Sequence, residues 1–172
     1  MSFPRRRESH AFTGFPIKTL GNDNHKIGVF RDAHQEVSMF TVSKTFTFCY
    51  GHRLLNDQGR CGRLHGHTAR ATFVLGSDAL DERGMVIHFD RLKETMGKWI
   101  AENLDHTTLL CKDDPLAAAL EGAGEPFRKL DVNPTAENLA KMLFDLAKES
   151  RLPIFKVELW ESETSKATYE SS

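Results

Sequence analysis

The sequence predicts one α+β domain whose elements run β-β-α-α-β-β. Period-two alternation in early and late segments, two amphipathic stretches of helical period between them, and turn chemistry at the joints predict it. Met39 opens the patterned part and is a candidate start. Thr45-Phe46-Thr47-Phe48 alternates as a half-buried strand does, and the chain reaches His52 soon after. Residues 56–62, rich in Asn, Asp and Gly, are turn chemistry. A strand over about 66–75 places His65, His67, Ala69, Ala71, Phe73 and Leu75 on one face and Thr68, Arg70 and Thr72 on the other. After a turn at 81–84, Phe89, Leu92, Met96, Trp99 and Ile100 recur at helical spacing, giving a helix over about 89–104. Residues 111–132 read as a loop with one short helix begun by Asp114-Pro115. Asn133-Pro134-Thr135 supplies a cap and a first-turn proline for a second helix, whose stripe is Leu139, Met142, Leu143, Leu146 and Ala147. Phe155, Val157 and Leu159 alternate with Lys156 and Glu158, and a turn at 162–165 leads to a last short strand ending near Tyr169. Residues 1–38 show no sustained period and are read as an extension before the patterned domain at 39–172; only Ile27-Gly28-Val29-Phe30 could add a short strand.

A chain of 172 residues fits one domain with its own core. A net charge of -1 offers no electrostatic case for nucleic acid as a principal partner, and the short basic run Arg5-Arg6-Arg7 sits in a tail and reads as solvated. No stretch has the apolar length of a membrane span, and no apolar segment follows the arginines as a secretory signal requires. Three cysteines, an odd number without a framework, point to free thiols in a reducing compartment, with cytoplasm the default.

The chemistry concentrates in Cys61-Gly62-Arg63-Leu64-His65-Gly66-His67, with His52 nine residues before the cysteine. Strand alternation points His65 and His67 the same way, and His52 joins them from the end of a neighbouring strand. Three neutral imidazoles with an open fourth place is the arrangement of a catalytic zinc; a structural zinc is usually closed by four ligands rich in cysteine. Zinc is favoured over copper or iron because nothing else in the chain suggests redox chemistry. Cys61 is then a fourth ligand or a reactive thiol beside the metal. Asp105-His106 follows the first helix, either as a polar helix end or as a relay pair in which the carboxylate orients the imidazole. Glu161 ends an apolar strand face, so it lies at a solvent edge or faces a ligand, where it can accept two parallel N–H bonds from a flat guanidine-like edge. His10, His25, His34 and His88 lack ligand-like spacing, while Cys49 and Cys111 read as packed residues.

Seven blocks in order carry a resemblance. They are Phe48-Cys49-Tyr50-Gly51-His52-Arg53-Leu54, Cys61-x-x-x-His65-Gly66-His67, Gly84-Met85-Val86, Phe89-x-x-Leu92-Lys93, Leu104-Asp105-His106, Pro134-Thr135-Ala136-Glu137 and Trp160-Glu161. Over about residues 40–170 the chain resembles the 6-pyruvoyltetrahydropterin synthase and 6-carboxytetrahydropterin synthase family. The three-residue gap between Cys61 and His65 resembles the bacterial 6-carboxytetrahydropterin synthase branch. The resemblance implies a T-fold: a four-stranded antiparallel sheet in β-β-α-α-β-β order with two helices packed on one side. It also implies trimers paired into homohexamers, with active sites at subunit interfaces.

Carried over residue by residue, it implies Zn2+ on His52, His65 and His67, Cys61 as proton acceptor, Asp105 and His106 as a relay, and Glu161 as pterin anchor, with Thr135 near the ring. The implied reaction converts 7,8-dihydroneopterin triphosphate to 6-carboxy-5,6,7,8-tetrahydropterin, releasing acetaldehyde and triphosphate, a step toward queuosine and other 7-deazaguanines. Alternatives are 6-pyruvoyltetrahydropterin synthase or dihydroneopterin aldolase activity, or a zinc-holding pterin binder without turnover. The chain departs from the family at His88, where an acidic residue often precedes the first helix, at Leu109-Leu110-Cys111, and at Cys49-Tyr50-Gly51, which replaces small residues before the first ligand.

Overall fold

The computed structural model describes residues 39–170; the extension at 1–38, with the strand considered at 27–30, lies outside the described residues. Two long strands, β1 (Phe40–His52) and β2 (His65–Ser77), pair antiparallel along their whole length, from Phe40 opposite Ser77 to His52 opposite His65. This register puts Phe46, Phe48, Tyr50 and His52 on the same face as Ala71, Ala69, His67 and His65. Strand β5 (Ile154–Trp160) pairs with β2 and β6 (Lys166–Glu170) with β5, both antiparallel, so Val157 lies opposite Phe73 and Leu159 opposite Ala71.

One core covers that face. Met96 and Ile100 from the first helical region, and Leu139, Leu143 and Ala147 from the last helix, bury against Phe48, Ala71, Phe73, Leu75, Val157 and Leu159. Both helices therefore pack on one side of the sheet. The first is a continuous run: α1 (Phe89–Leu92), a π turn over Lys93–Gly97, then α2 (Lys98–Asn103). Gly97 ends the π turn where the Phe46 ring passes; a Cβ there would lie 2.7 Å from Phe46 Cε1, so only glycine lets the helix approach this closely. His88 caps the run, its Nδ1 accepting from the Asp90 N–H at 3.2 Å, the work an acidic residue does elsewhere.

The expectation of four strands is corrected: the sheet has six, in the order β4-β3-β1-β2-β5-β6. A strand not expected, β3 (Thr107–Cys111), lies between the first helical run and the stretch read as loop, and that stretch itself contains α3 (Leu116–Ala123) and β4 (Phe127–Leu130). Strand β3 runs parallel to β1, and β4 parallel to β3. Parallel neighbours need a crossover, and the segment carrying α3 supplies it. The expected short helix after Asp114-Pro115 is present. The four antiparallel strands β1, β2, β5 and β6 remain contiguous inside the larger sheet.

The last helix, α4 (Ala136–Glu149), is amphipathic with Leu139, Ala140, Leu143, Phe144 and Ala147 buried. Its cap is Thr135, whose Oγ1 accepts from the Asn138 N–H at 3.3 Å. Pro134 thus precedes the cap instead of opening the first turn, which leaves its carbonyl outside the helix ladder. No described helix is long and apolar enough to cross a membrane.

Candidate functional site

At one end of the buried face the packing residues give way to imidazoles. His52 closes β1, while His65 and His67 open β2, so the antiparallel register brings all three together. Gly66 lies between the pair, and a Cβ on it would stand 3.0 Å from the Tyr50 carbonyl oxygen, tight for any larger residue. Nε2 of His52 lies 3.1 Å from Nε2 of His65 and 3.1 Å from Nε2 of His67. Tetrahedral zinc at a Zn–N distance of about 2.05 Å would separate its nitrogens by about 3.3 Å, close to this spacing.

The outward nitrogens are tied back. His52 Nδ1 donates to the Pro134 carbonyl at 2.7 Å and His65 Nδ1 to the Arg63 carbonyl at 2.7 Å, which directs each Nε2 lone pair inward. Burial pushes the His52 imidazole below its ordinary value, favouring the neutral form a metal needs. The donor set therefore fits a zinc ion.

Glu161 stands beside this cluster. It follows β5 by one residue on the Leu159 side, and its Oε1 lies 3.9 Å from His52 Nε2. Tyr50 Oη donates to the same Oε1 at 2.6 Å. Burial, then the carboxylate, pushes the Tyr50 phenol far above its usual range, so it remains a donor.

Asp105 and His106 form a separate pair at the turn between α2 and β3. Asp105 Oδ1 accepts from the Cys49 N–H at 2.8 Å and lies 3.1 Å from His106 Nδ1. The Cys49 N–H, and after it His106, hold the Asp105 carboxyl below the usual range, so it is a carboxylate. His106 sits at φ 55°, and its N–H donates to the Cys49 carbonyl at 2.7 Å. That left-handed backbone costs a non-glycine residue about 1 kcal/mol. His106 borders a cleft of about 470 Å3 with Cys49, Gly51, Gly66, Thr68 and Thr108, and Tyr50, His65 and His67 also reach its wall. Cys49, expected to be packed, is half-buried here, with its Sγ 3.6 Å from Thr68 Oγ1. Cys111 is buried as expected.

Cys61 is exposed, in a one-turn helix at Arg60–Gly62 whose Cys61 carbonyl accepts from the Leu54 N–H at 2.8 Å. Its sulfur does not belong to the three-nitrogen cluster. Thr135 is committed to capping α4, next to the Pro134 carbonyl that holds His52. The structure thus joins the histidines to Glu161 and joins Asp105 to His106, but brings Cys61 to neither group. Sequence reasoning missed Tyr50, although alternation places it on the His52 face. It also missed the Pro134 and Arg63 carbonyls, which have no side-chain signal.

The model of the 6-pyruvoyl tetrahydropterin synthase family matches residues 41–172. The chain belongs to this family. Among its relatives is the 6-carboxy-5,6,7,8-tetrahydropterin synthase of Aquifex aeolicus, 31% identical over 156 residues that cover 74% of this chain and 96% of that one. The enzyme of the same name from Haemophilus influenzae is 30% identical, covering 77% of this chain and 99% of its own. The bacterial branch is thereby supported. An uncharacterized protein from Wolinella succinogenes has a solved structure that superposes with a TM-score of 0.69 at 25% identity, covering 78% of this chain and 99% of its own. The Caenorhabditis elegans 6-pyruvoyl tetrahydropterin synthase superposes at 0.59 and 22% identity, covering 79% and 98%, a likeness of fold.

Proposed function

We propose that this chain is a zinc-dependent lyase that converts 7,8-dihydroneopterin triphosphate and water to 6-carboxy-5,6,7,8-tetrahydropterin, acetaldehyde and triphosphate. The observation that carries it is the convergence of three Nε2 atoms with their outward nitrogens tied back, in a chain whose bacterial relatives bear that enzyme's name. Residues 39–172 are the catalytic domain and 1–38 an extension outside it.

His52, His65 and His67 hold the metal. When bound, zinc supplies Lewis-acid polarisation of the substrate's side-chain oxygens. Glu161 anchors the ring by accepting its 2-amino and N3–H donors in parallel. Thr135 lies near that ring. Cys61 takes a carbon-bound proton from the side chain, and His106, oriented by the Asp105 carboxylate, returns protons elsewhere along it. The strained backbone at His106 supports a functional role, since such strain persists where the surroundings enforce it. Cys61 and His106 are both open to solvent, and this favours a site completed between subunits of a homo-oligomer, trimers paired into hexamers. A substrate of this kind is met in the cytoplasm.

Mass spectrometry after incubation with 7,8-dihydroneopterin triphosphate tests the reading. The expected products are 6-carboxytetrahydropterin and acetaldehyde. Accumulation of 6-pyruvoyltetrahydropterin without acetaldehyde would move the chain to the other branch of its family, and unchanged substrate would leave a pterin binder.

A further inference from the structure

Tyr50 has no part in the reaction proposed above, yet Glu161 is held through it. The phenol is 3% exposed and comes from β1, while Glu161 lies past the end of β5, with β2 between them. Beyond the ladder, Glu161 keeps one backbone bond, its N–H to the Ser165 carbonyl at 3.2 Å. Among the described residues, Tyr50 Oη is the only hydrogen-bond partner of the Glu161 carboxylate. The Tyr50 ring also stands edge-on to His52, with centroids 5.1 Å apart, and tilted against His67 at 5.8 Å. One side chain therefore touches both the metal donors and the carboxylate.

We infer that Tyr50 is a positioning residue for pterin binding: its hydroxyl fixes the plane of the Glu161 carboxylate and its ring sets that carboxylate's place relative to the three histidines. The inference rests on Glu161 being the ring anchor. A carboxylate offers about four lone-pair sites. Tyr50 occupies one on Oε1, leaving Oε2 and the other Oε1 site for two parallel donors. A bend residue unsupported on its side-chain oxygens would sample several planes, and a flat bidentate partner tolerates few of them.

Tyr50→Phe removes the hydroxyl and keeps the ring. Zinc content by metal analysis and the melting temperature should stay at wild-type values. The Kd for neopterin, followed by its fluorescence, and the KM for 7,8-dihydroneopterin triphosphate should both rise about tenfold, with kcat within about twofold, as for a lost charge-assisted bond felt in binding. In a Glu161→Gln background, Tyr50→Phe should add less than about twofold, because coupled residues are not additive. Weaker neopterin binding by Glu161→Gln, with wild-type binding by Tyr50→Phe or independent effects in the double variant, would overturn the role of Tyr50 and leave the anchor standing. Unchanged binding by Glu161→Gln would remove the anchor, and the inference with it.

Discussion

Just past His52, Arg53 forks onto Asp114, whose side chain is fully buried. Arg53 Nε donates to Asp114 Oδ2 at 2.8 Å, its Nη2 pairs with Oδ1, and Oδ1 also accepts from the Leu116 N–H at 2.8 Å. The pair pins the end of β1 to the start of α3. Removing the carboxylate deletes both Arg53 bonds and the acceptor of the Leu116 N–H, while the partly solvated guanidinium can rehydrate, so Asp114→Ala should cost about 2 kcal/mol in denaturant unfolding. The Arg53 guanidinium holds the Asp114 carboxyl below the ordinary aspartate value. A depressed folded value stabilises above the unfolded one, about 3.9, and the contribution fades as pH falls through the folded value. The stability gap between wild type and Asp114→Asn should thus be constant from neutral pH to about pH 5 and shrink below about pH 4; a gap that grows on acidification would refute the pairing. His65 has a sharper readout. His65→Ala removes one of three donors and should abolish zinc retention on dialysis along with turnover, and full zinc occupancy in the variant would put the metal elsewhere.

Among the elements, β5 makes the test of register. Glu158 lies opposite Thr72, on the outer face, and is paired with Lys166 at 2.7 Å and Lys156 at 3.4 Å. Glu161 falls on the Leu159 side. Glu161→Gln should weaken pterin binding by about 2–4 kcal/mol with zinc retained, because two ring donors lose their charged partner, whereas Glu158→Gln should leave binding unchanged. Equal effects on KM would contradict the assignment of faces. This alternation was legible in the sequence, as were β1, β2, the first helical run, α4 and β6, each long or periodic enough to declare itself. Strands β3 and β4 were not. Thr107–Cys111 ends in three buried residues in a row, the pattern of a parallel strand covered on both faces, and so shows no alternation. Phe127–Leu130 has four residues, too few to show a period.

Across the whole molecule, His65, His67 and His106 share the wall of one cleft at the β1–β2 ladder. Tyr50, His52, His65 and His67 belong to the face that packs the helices, while Cys49, Gly51, Gly66 and Thr68 alternate with them and meet His106 outside. Ligand spacing made the histidines legible, because a short strand fixes their direction. The ties that aim them were not, because the Pro134 carbonyl reaches His52 from another part of the chain and is fixed only by tertiary packing. Nor could the sequence show that Cys61 and His106 would both stay exposed within one chain. If each active site combines a thiol from one subunit with a relay imidazole from its neighbour, two dead variants should repair each other. Cys61→Ala and His106→Ala, each inactive alone with zinc retained, should regain activity when unfolded together and refolded as mixed oligomers. Random mixing across a heterologous interface restores about a quarter of the sites, since each needs one intact residue from either side. Mixtures as inactive as the separate variants, in oligomers shown to have exchanged subunits, would mean that one chain supplies both groups and must bring Cys61 inward by itself.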